Sequence, residues 1–222
     1  YEVSTDNPLP FYSVHGGTQH NFRIGGPSRT ISSNGIMNSD WYFTSLGDGF
    51  ETQVDQSNPD IIYAQAQYGN LVRYDKKSGE YLYIQPVEQE GESAYRWNWD
   101  APLIISRFDN KRLYIAANKV FRTDDRGESW KVISGDLTRQ TDRNKLTVMD
   151  KVWSVDAIAK NQSTDIYGNI TTLAESSLDG NMLYTGTDDG LIQVTTDGGK
   201  NWRKCAAAAG VPADAYVYQI IA

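Results

Sequence analysis

The chain has 222 residues, 39% of them hydrophobic and 22% charged, with a net charge of −7. That is length for one sizeable core or two small ones, in a composition that folds. The acidic balance excludes a general nucleic-acid binder, which needs a basic stripe, and a protein held on an anionic membrane surface.

No run of eighteen apolar residues supplies a membrane-spanning helix. The sequence opens on Tyr1 without a signal peptide, which a mature or trimmed product would also lack. The single Cys205 has no partner for an internal disulfide or a zinc cluster and reads as a small apolar residue. Fourteen tyrosines and six tryptophans suit pleated sheets and carbohydrate- or protein-binding surfaces.

In chain order, four stretches share one plan: an apolar-Tyr start, small residues, a short turn and a second alternating run. They are FYSVHGGTQHNFRIGGPSRT (11–30), IYAQAQYGNLVRYDKKSGEYLYI (62–84), LYIAANKVFR (113–122) and LYTGTDDGLIQV (183–194). Tyr12, Tyr63, Tyr114 and Tyr184 fall 51, 51 and 70 residues apart. Alternating runs of four to seven residues between Gly/Asp/Asn turns predict strands, and no long helical period occurs. Four-stranded units recurring at about 40–50 residues predict the blades of a β-propeller. The expected fold is all-β, an incomplete arc of about four antiparallel blades. The blade equivalents are 11–57, 58–100, 101–175 and 176–210, with 211–222 starting another. YVYQIIA (216–222) reads as that next blade's first strand. An open arc leaves unpaired sheet faces, so further blades of a larger protein are expected.

Two of these units end in near-copies of one turn, TDDRGESW (123–130) and TTDGGKNW (195–202). Both give Thr-x-Asp-x-Gly-x-polar-Trp, through Thr123, Asp125, Gly127 and Trp130, and through Thr195, Asp197, Gly199 and Trp202. A motif recurring at equivalent places in a repeat is structural more often than catalytic. Asp can hold the turn's amides, Gly can supply a positive φ, and Trp can anchor the turn on the sheet. YDKKSGEY keeps Asp75 and Gly79 but has an extra residue and Tyr81 for Trp.

The polar segment 136–168 interrupts the repeat and reads as a long loop on one face, either functional or decorative. Asn161 and Asn169 fit the glycosylation triplet, a pattern common by chance. AAAAG (206–210) is either a genuine small loop or unidentified side chains.

The repeated turn resembles the Asp-box, or BNR repeat, of sialidases, xyloglucanase-like glycoside hydrolases and sortilin/Vps10 propellers. GGTQHN (16–21), GDGFETQVD (47–55), RWNWDAPL (96–103), SGDLTR (134–139) and GTDDGLIQVTTDGG (186–199) are similar to strings of the bacterial sortilin-like BNR-repeat proteins. That resemblance covers most of the chain. It implies tandem propellers in a secreted or envelope-attached protein and names no substrate.

Candidate site residues follow from chemistry. NFRIGG places Arg23 in a string like the sialidase Phe-Arg-Ile-Pro, but Gly25 replaces the proline and no further arginine has a sialidase-like context. The alternative is a surface arginine shielding apolar area with its stem. Asp48 in GDGF could pair with Asp188 or Asp189 in TDDG as hydrolase carboxyls, or all three could hold turn amides. Trp97 and Trp99, two apart, would share one side of a strand as a sugar or partner platform, or be buried in blade packing. Gln19 and Arg23 complete the ligand-binding candidates. His15 and His20 make a poor metal site, and Gly16-Gly17 reads as a close backbone approach. No metal or cofactor is expected. The first functional expectation is a protein- or glycan-binding interaction module. The others are a glycoside hydrolase with a carboxylate pair in the propeller mouth, and a structural repeat without ligand.

Overall fold

The first sheet contains β1 (Val3–Thr5), β2 (Ser13–Gly17), β3 (Arg23–Pro27) and β4 (Tyr42–Ser45). The second contains β5 (Thr52–Val54), β6 (Ile61–Ala66), β7 (Asn70–Asp75) and β8 (Tyr81–Tyr83). The third contains β9 (Leu103–Ile105), β10 (Leu113–Ala116), β11 (Val120–Thr123) and β12 (Lys131–Val132). A hairpin follows, β13 (Thr147–Val148) with β14 (Lys151–Val152). The fourth sheet contains β15 (Ile170–Glu175), β16 (Leu183–Thr187), β17 (Ile192–Thr195) and β18 (Arg203–Lys204). This is a computed structural model, and it describes residues 2–8, 10–160, 166–206 and 209–222.

Each sheet is an antiparallel meander in chain order. The first strands β1, β5, β9 and β15 touch one another in succession, so the sheets fan out from a common axis. The molecule is a partial β-propeller. Between the second and third sheets lies a core built on Tyr63, Leu71, Leu103, Leu113, Ile115 and Phe121. A second core, around Tyr114, Val120, Ile170, Leu173 and Leu183, joins the third sheet to the fourth.

The blades are offset from the tyrosine period. Tyr63, Tyr114 and Tyr184 lie on second strands, and Tyr12 sits one residue before β2. The unit expected at 11–57 therefore gains β1 ahead of residue 11, while β5 pairs with the second sheet. The first strands β1, β5 and β9 are three residues each, too short for alternation to register. Segment 136–168 lies between the third and fourth sheets rather than inside a blade. YVYQIIA forms no strand. It runs beside β15, where Thr171 Oγ1 donates to the Val217 carbonyl at 2.5 Å and Thr172 Oγ1 accepts from Ile220 N at 3.0 Å. Side-chain hydroxyls make these contacts where a ladder would use the main chain.

The first two sheets meet backbone to backbone. A Cβ on Gly49 would lie 2.3 Å from Gly17 Cα, and one on Gly17 2.3 Å from the Gly49 carbonyl carbon. Both obstacles are main chain, so no rotamer change relieves the clash. Gly49→Ala is expected to cost about 1–3 kcal/mol or more. Denaturant unfolding of G49A at wild-type midpoint would show that the two chains can separate freely.

Candidate functional site

The two Thr-x-Asp-x-Gly-x-polar-Trp turns have the same hydrogen bonds. Thr123 Oγ1 donates to Asp125 Oδ1 at 2.6 Å and accepts from Gly127 N at 3.0 Å. Thr195 Oγ1 donates to Asp197 Oδ1 at 2.8 Å and accepts from Gly199 N at 3.0 Å. Asp125 also takes both Ser129 donors, and Asp197 both donors of Asn201. Gly127 and Gly199 have φ of 89° and 94°, and an added Cβ would strike Ile84 or Ile133 of the preceding sheet at 2.5 and 2.6 Å. Trp130 and Trp202 donate their indole N–H to the carbonyls of those same residues, at 2.6 and 2.9 Å. Each turn thus fastens one sheet to the one before it.

These bonds hold both aspartates at about 2, chiefly through the Ser129 and Asn201 side chains. The folded value lies below the ordinary carboxylate range. The stabilisation is therefore present above about pH 4 and is lost as pH falls towards 2. Thr123 is buried, so the isosteric Thr123→Val leaves Gly127 N–H without an acceptor. It is expected to cost about 1–3 kcal/mol. Thr195→Val should cost the same, with the double variant additive to within about 0.5 kcal/mol. Thermal unfolding of the three variants checks this, and an unchanged midpoint in either single variant would contradict it.

A second repeated turn, absent from the sequence reading, links first to second strands. Asp55 Oδ1, Ser106 Oγ and Ser176 Oγ each accept from the amide two residues on, at 2.8, 3.2 and 3.2 Å. Each lies eight residues before Tyr63, Tyr114 or Tyr184, a spacing that could have revealed it. Asp55 also receives Arg126 Nε at 2.8 Å, joining the two kinds of turn across neighbouring sheets.

Each of the aspartates proposed as a pair is engaged by backbone amides. Asp48 Oδ1 accepts from the His20 amide at 2.8 Å, tying the loop after β4 to the turn before β3. Asp188 accepts from the amides of Gly168 and Asn169, at 3.1 and 2.9 Å. Burial pushes its carboxyl up to about 6 against those bonds. Asp189 is buried and receives Thr187 Oγ1 at 2.5 Å and Arg139 N at 2.7 Å. Asp188 and Asp189 thus pin the two ends of the segment between the third and fourth sheets.

Arg23 is neither a surface shield nor a ligand clamp. It is wholly buried, donating to the Leu46 and Asp48 carbonyls at 3.2 and 2.6 Å. Burial pushes its guanidinium down to about 10. Trp97 is core: it stacks on Phe121 at 5.5 Å and roofs Gly69. Trp99 is half-buried, edge-on to Tyr68 at 5.1 Å and Phe50 at 6.2 Å. Residues 96–100 form no strand, so the shared-side argument for the two indoles does not apply. Gln19 is exposed in the β2–β3 turn. His15 is buried 4.0 Å from Asp6 and pushed down to about 4 by burial, while His20 is exposed. No three His, Cys, Asp or Glu among the described residues are grouped to hold a metal. Asn161 lies outside the described residues, as does part of Ala206–Ala209. Asn169 is buried, and its Oδ1 accepts from Asn98.

The side chains that do converge were not singled out in the sequence. A polar pocket of about 240 Å³ opens beside the first strands, lined by Glu2, Glu51, Asn98, Asp100, Tyr216 and Tyr218 among others. Glu51 Oε2 accepts from Leu103 N at 2.7 Å. Burial, then the neighbouring Glu2, pushes the Glu51 carboxyl well above the usual range. Asp100 is raised to about 6, by desolvation first and Glu2 second, although the residue is open to solvent at the pocket mouth. A larger apolar hollow of about 590 Å³ lies within the inserted segment itself, lined by Trp153, Ile158 and Tyr167 among others. Among the described residues no helix is long and apolar enough to cross a membrane.

Four-stranded meanders around an axis, fastened turn to sheet, define a β-propeller arc. No family model matches the chain, and no curated protein matches it. Solved structures do match. An ancestral GH74 enzyme is 15% identical over 93% of this chain and 24% of that one, with a TM-score of 0.56. The GH74 xyloglucanase from Xanthomonas campestris is 17% identical over 95% and 30%, with a TM-score of 0.55. The extracellular domain of a one-component system from B. thetaiotaomicron is 12% identical over 98% and 24%, also at 0.55. The likeness is one of fold, and this chain spans only 24–30% of those chains' length.

Proposed function

We propose that this chain is part of a secreted or envelope-associated β-propeller protein, and that it binds a glycan in the polar pocket beside its first strands. One observation carries the reading. Three carboxyls, two of them (Glu51 and Asp100) held towards their protonated form, two side-chain amides and two tyrosine rings line one opening at the propeller axis. Rings can lie against the apolar faces of a sugar while amide and carboxyl groups take its hydroxyls. At about 240 Å³ the pocket is smaller than a drug-sized site, and suits one sugar ring or a chain end. The GH74 enzymes among the structural neighbours support a carbohydrate ligand by analogy of fold. In this reading the Thr-x-Asp-x-Gly-x-polar-Trp turns are Asp-boxes with a scaffold role. The chain is then a relative of the sortilin-like BNR-repeat proteins, continued by further blades.

A glycoside hydrolase is the second reading. It is favoured by carboxyls held protonated towards neutral pH, as a general acid must be. Glu51 and Asp100 would carry it, since Asp48, Asp188 and Asp189 are engaged elsewhere.

The test is titration with a panel of neutral oligosaccharides, including xyloglucan fragments. Tyr218→Ala should weaken binding several-fold. Asp100→Asn should abolish a pH dependence centred near 6. Binding by no member of the panel, or undiminished binding by Y218A, would sink the proposal. Release of reducing ends that Glu51→Gln abolishes would select the hydrolase instead.

A further inference from the structure

The two internal sheet junctions have one construction. A tryptophan stands immediately before the fourth strand of a sheet. Its indole N–H donates to the carbonyl of the residue just after the fourth strand of the preceding sheet. Trp130 before β12 reaches Ile84 after β8, and Trp202 before β18 reaches Ile133 after β12. Each acceptor residue is itself fixed by its amide, which donates to a third-strand carbonyl: Ile84 to Leu71 and Ile133 to Val120, both at 2.9 Å.

The first sheet repeats the donor half. Trp41 stands immediately before β4. Its ring lies flat on Gly26, where an added Cβ would meet it at 2.5 Å. Gly26 pairs with Val14, on the side of the sheet opposite His15, Gly25 and Tyr42. Tyr42 lies under Lys76 of the second sheet, so Trp41 is on the face turned away from that sheet. Trp41 is 39% exposed, and its indole makes no hydrogen bond among the described residues. The same face presents Val3 at 70% exposure and Phe43 at 60%, with Phe22 edge-on to Phe43 at 5.4 Å. Val3, Val14, Ile24 and Phe43 bring no charge to that face, in a chain 22% charged. Uncovered apolar area of this kind marks an interface.

We propose that this outward face seats another four-stranded sheet of the same repeat, belonging to the same polypeptide. The residue after that sheet's fourth strand accepts the Trp41 indole N–H. The occupant follows from continuity with the two junctions already present, which use the same donor at the same strand position. The fourth sheet carries the complementary half-joint. Cys205 follows β18, and its amide donates to the Ile192 carbonyl at 2.8 Å, as Ile84 and Ile133 do in their sheets. A second copy of this chain is therefore the competing occupant.

The proposal rests on the reading of this chain as part of a longer propeller, and not on the glycan pocket. The experiment is oxidative labelling of tryptophans in the native protein from its source, read by peptide mass spectrometry, with the intact mass measured alongside. Trp130 and Trp202, half-buried in the two junctions already formed, are the internal references. The expected result is a polypeptide much heavier than 24.9 kDa in which Trp41 labels as slowly as Trp130 and Trp202. A heavy polypeptide whose Trp41 labels several-fold faster than both would overturn the docking face and leave the longer propeller standing. A native chain of 24.9 kDa would overturn both. That includes the case in which Trp41 is protected only as copies associate with rising concentration, since the occupant would then be a second copy.

Discussion

An Arg23→Ala variant is expected to lose stability while the folded fraction keeps any ligand affinity. The guanidinium is wholly buried and has no carboxylate on it, only the Leu46 and Asp48 carbonyls. Truncation leaves both without their donor, at roughly 1–3 kcal/mol each, and opens a cavity. Removing a desolvated charge gives part of that back. The net loss should be about 3 kcal/mol, or roughly 6–12 °C in Tm for a domain of this size. Arg23→Met refills the volume but supplies no donor, so it should fall between alanine and wild type. Arg23→Lys restores charge without the two-pronged geometry and should not rescue fully. Thermal melts and glycan titration on the same samples separate the two roles. Full stability with lost binding would return Arg23 to the ligand site.

Phe121→Ala should have an effect as large. Phe121 is 1% exposed and fills the space between the second and third sheets, with Tyr95 at 4.8 Å and Trp97 at 5.5 Å. Emptying it is expected to cost about 3–5 kcal/mol, much of the 5–15 kcal/mol that holds a typical domain folded. Both aromatic partners come from the strandless connection between β8 and β9. That connection also carries Asn98 and Asp100 to the pocket. The loss should therefore appear first as faster amide exchange and proteolysis across residues 85–102, with weaker glycan binding. Phe121→Leu keeps most of the volume and should cost less than about 1.5 kcal/mol. Uniform exchange in F121A, without a local opening, would mean that the connection is anchored by something else.

The parts of the fold legible in the sequence were those with a local cause. The Thr-x-Asp-x-Gly-x-polar-Trp turns could be read because their hydrogen bonds close within a few residues, so the pattern is the structure. Second strands were visible through Tyr63, Tyr114 and Tyr184. First strands were not, because three residues hold no period, and the blade boundaries slipped by one strand as a result. Arg23 misled because arginine is rarely buried, and nothing in NFRIGG announces the carbonyls of Leu46 and Asp48 beyond β4. The pocket was illegible for a similar reason. Glu2, Glu51, Asp100 and Tyr218 are far apart in sequence and meet only because the first strands share an axis. Asp188 and Asp189 were legible as hydrolase carboxyls or as holders of turn amides, but not as acceptors of the Gly168, Asn169 and Arg139 amides, which lie outside their own turn.

Those two aspartates separate the scaffold from its insertion. Arg139 N and Gly168 N, at either end of the segment, are both held by adjacent carboxylates on one turn of the fourth sheet. The span is fixed by the clamp rather than by what lies between. For such a loop, doubling its length raises the closure cost by only about 0.6 kcal/mol. Sequence between residues 139 and 168 is therefore nearly uncoupled from blade stability. It can lengthen, shorten or change its surface while the sheets on either side keep their register, and a new binding specificity could be introduced there without redesigning the propeller.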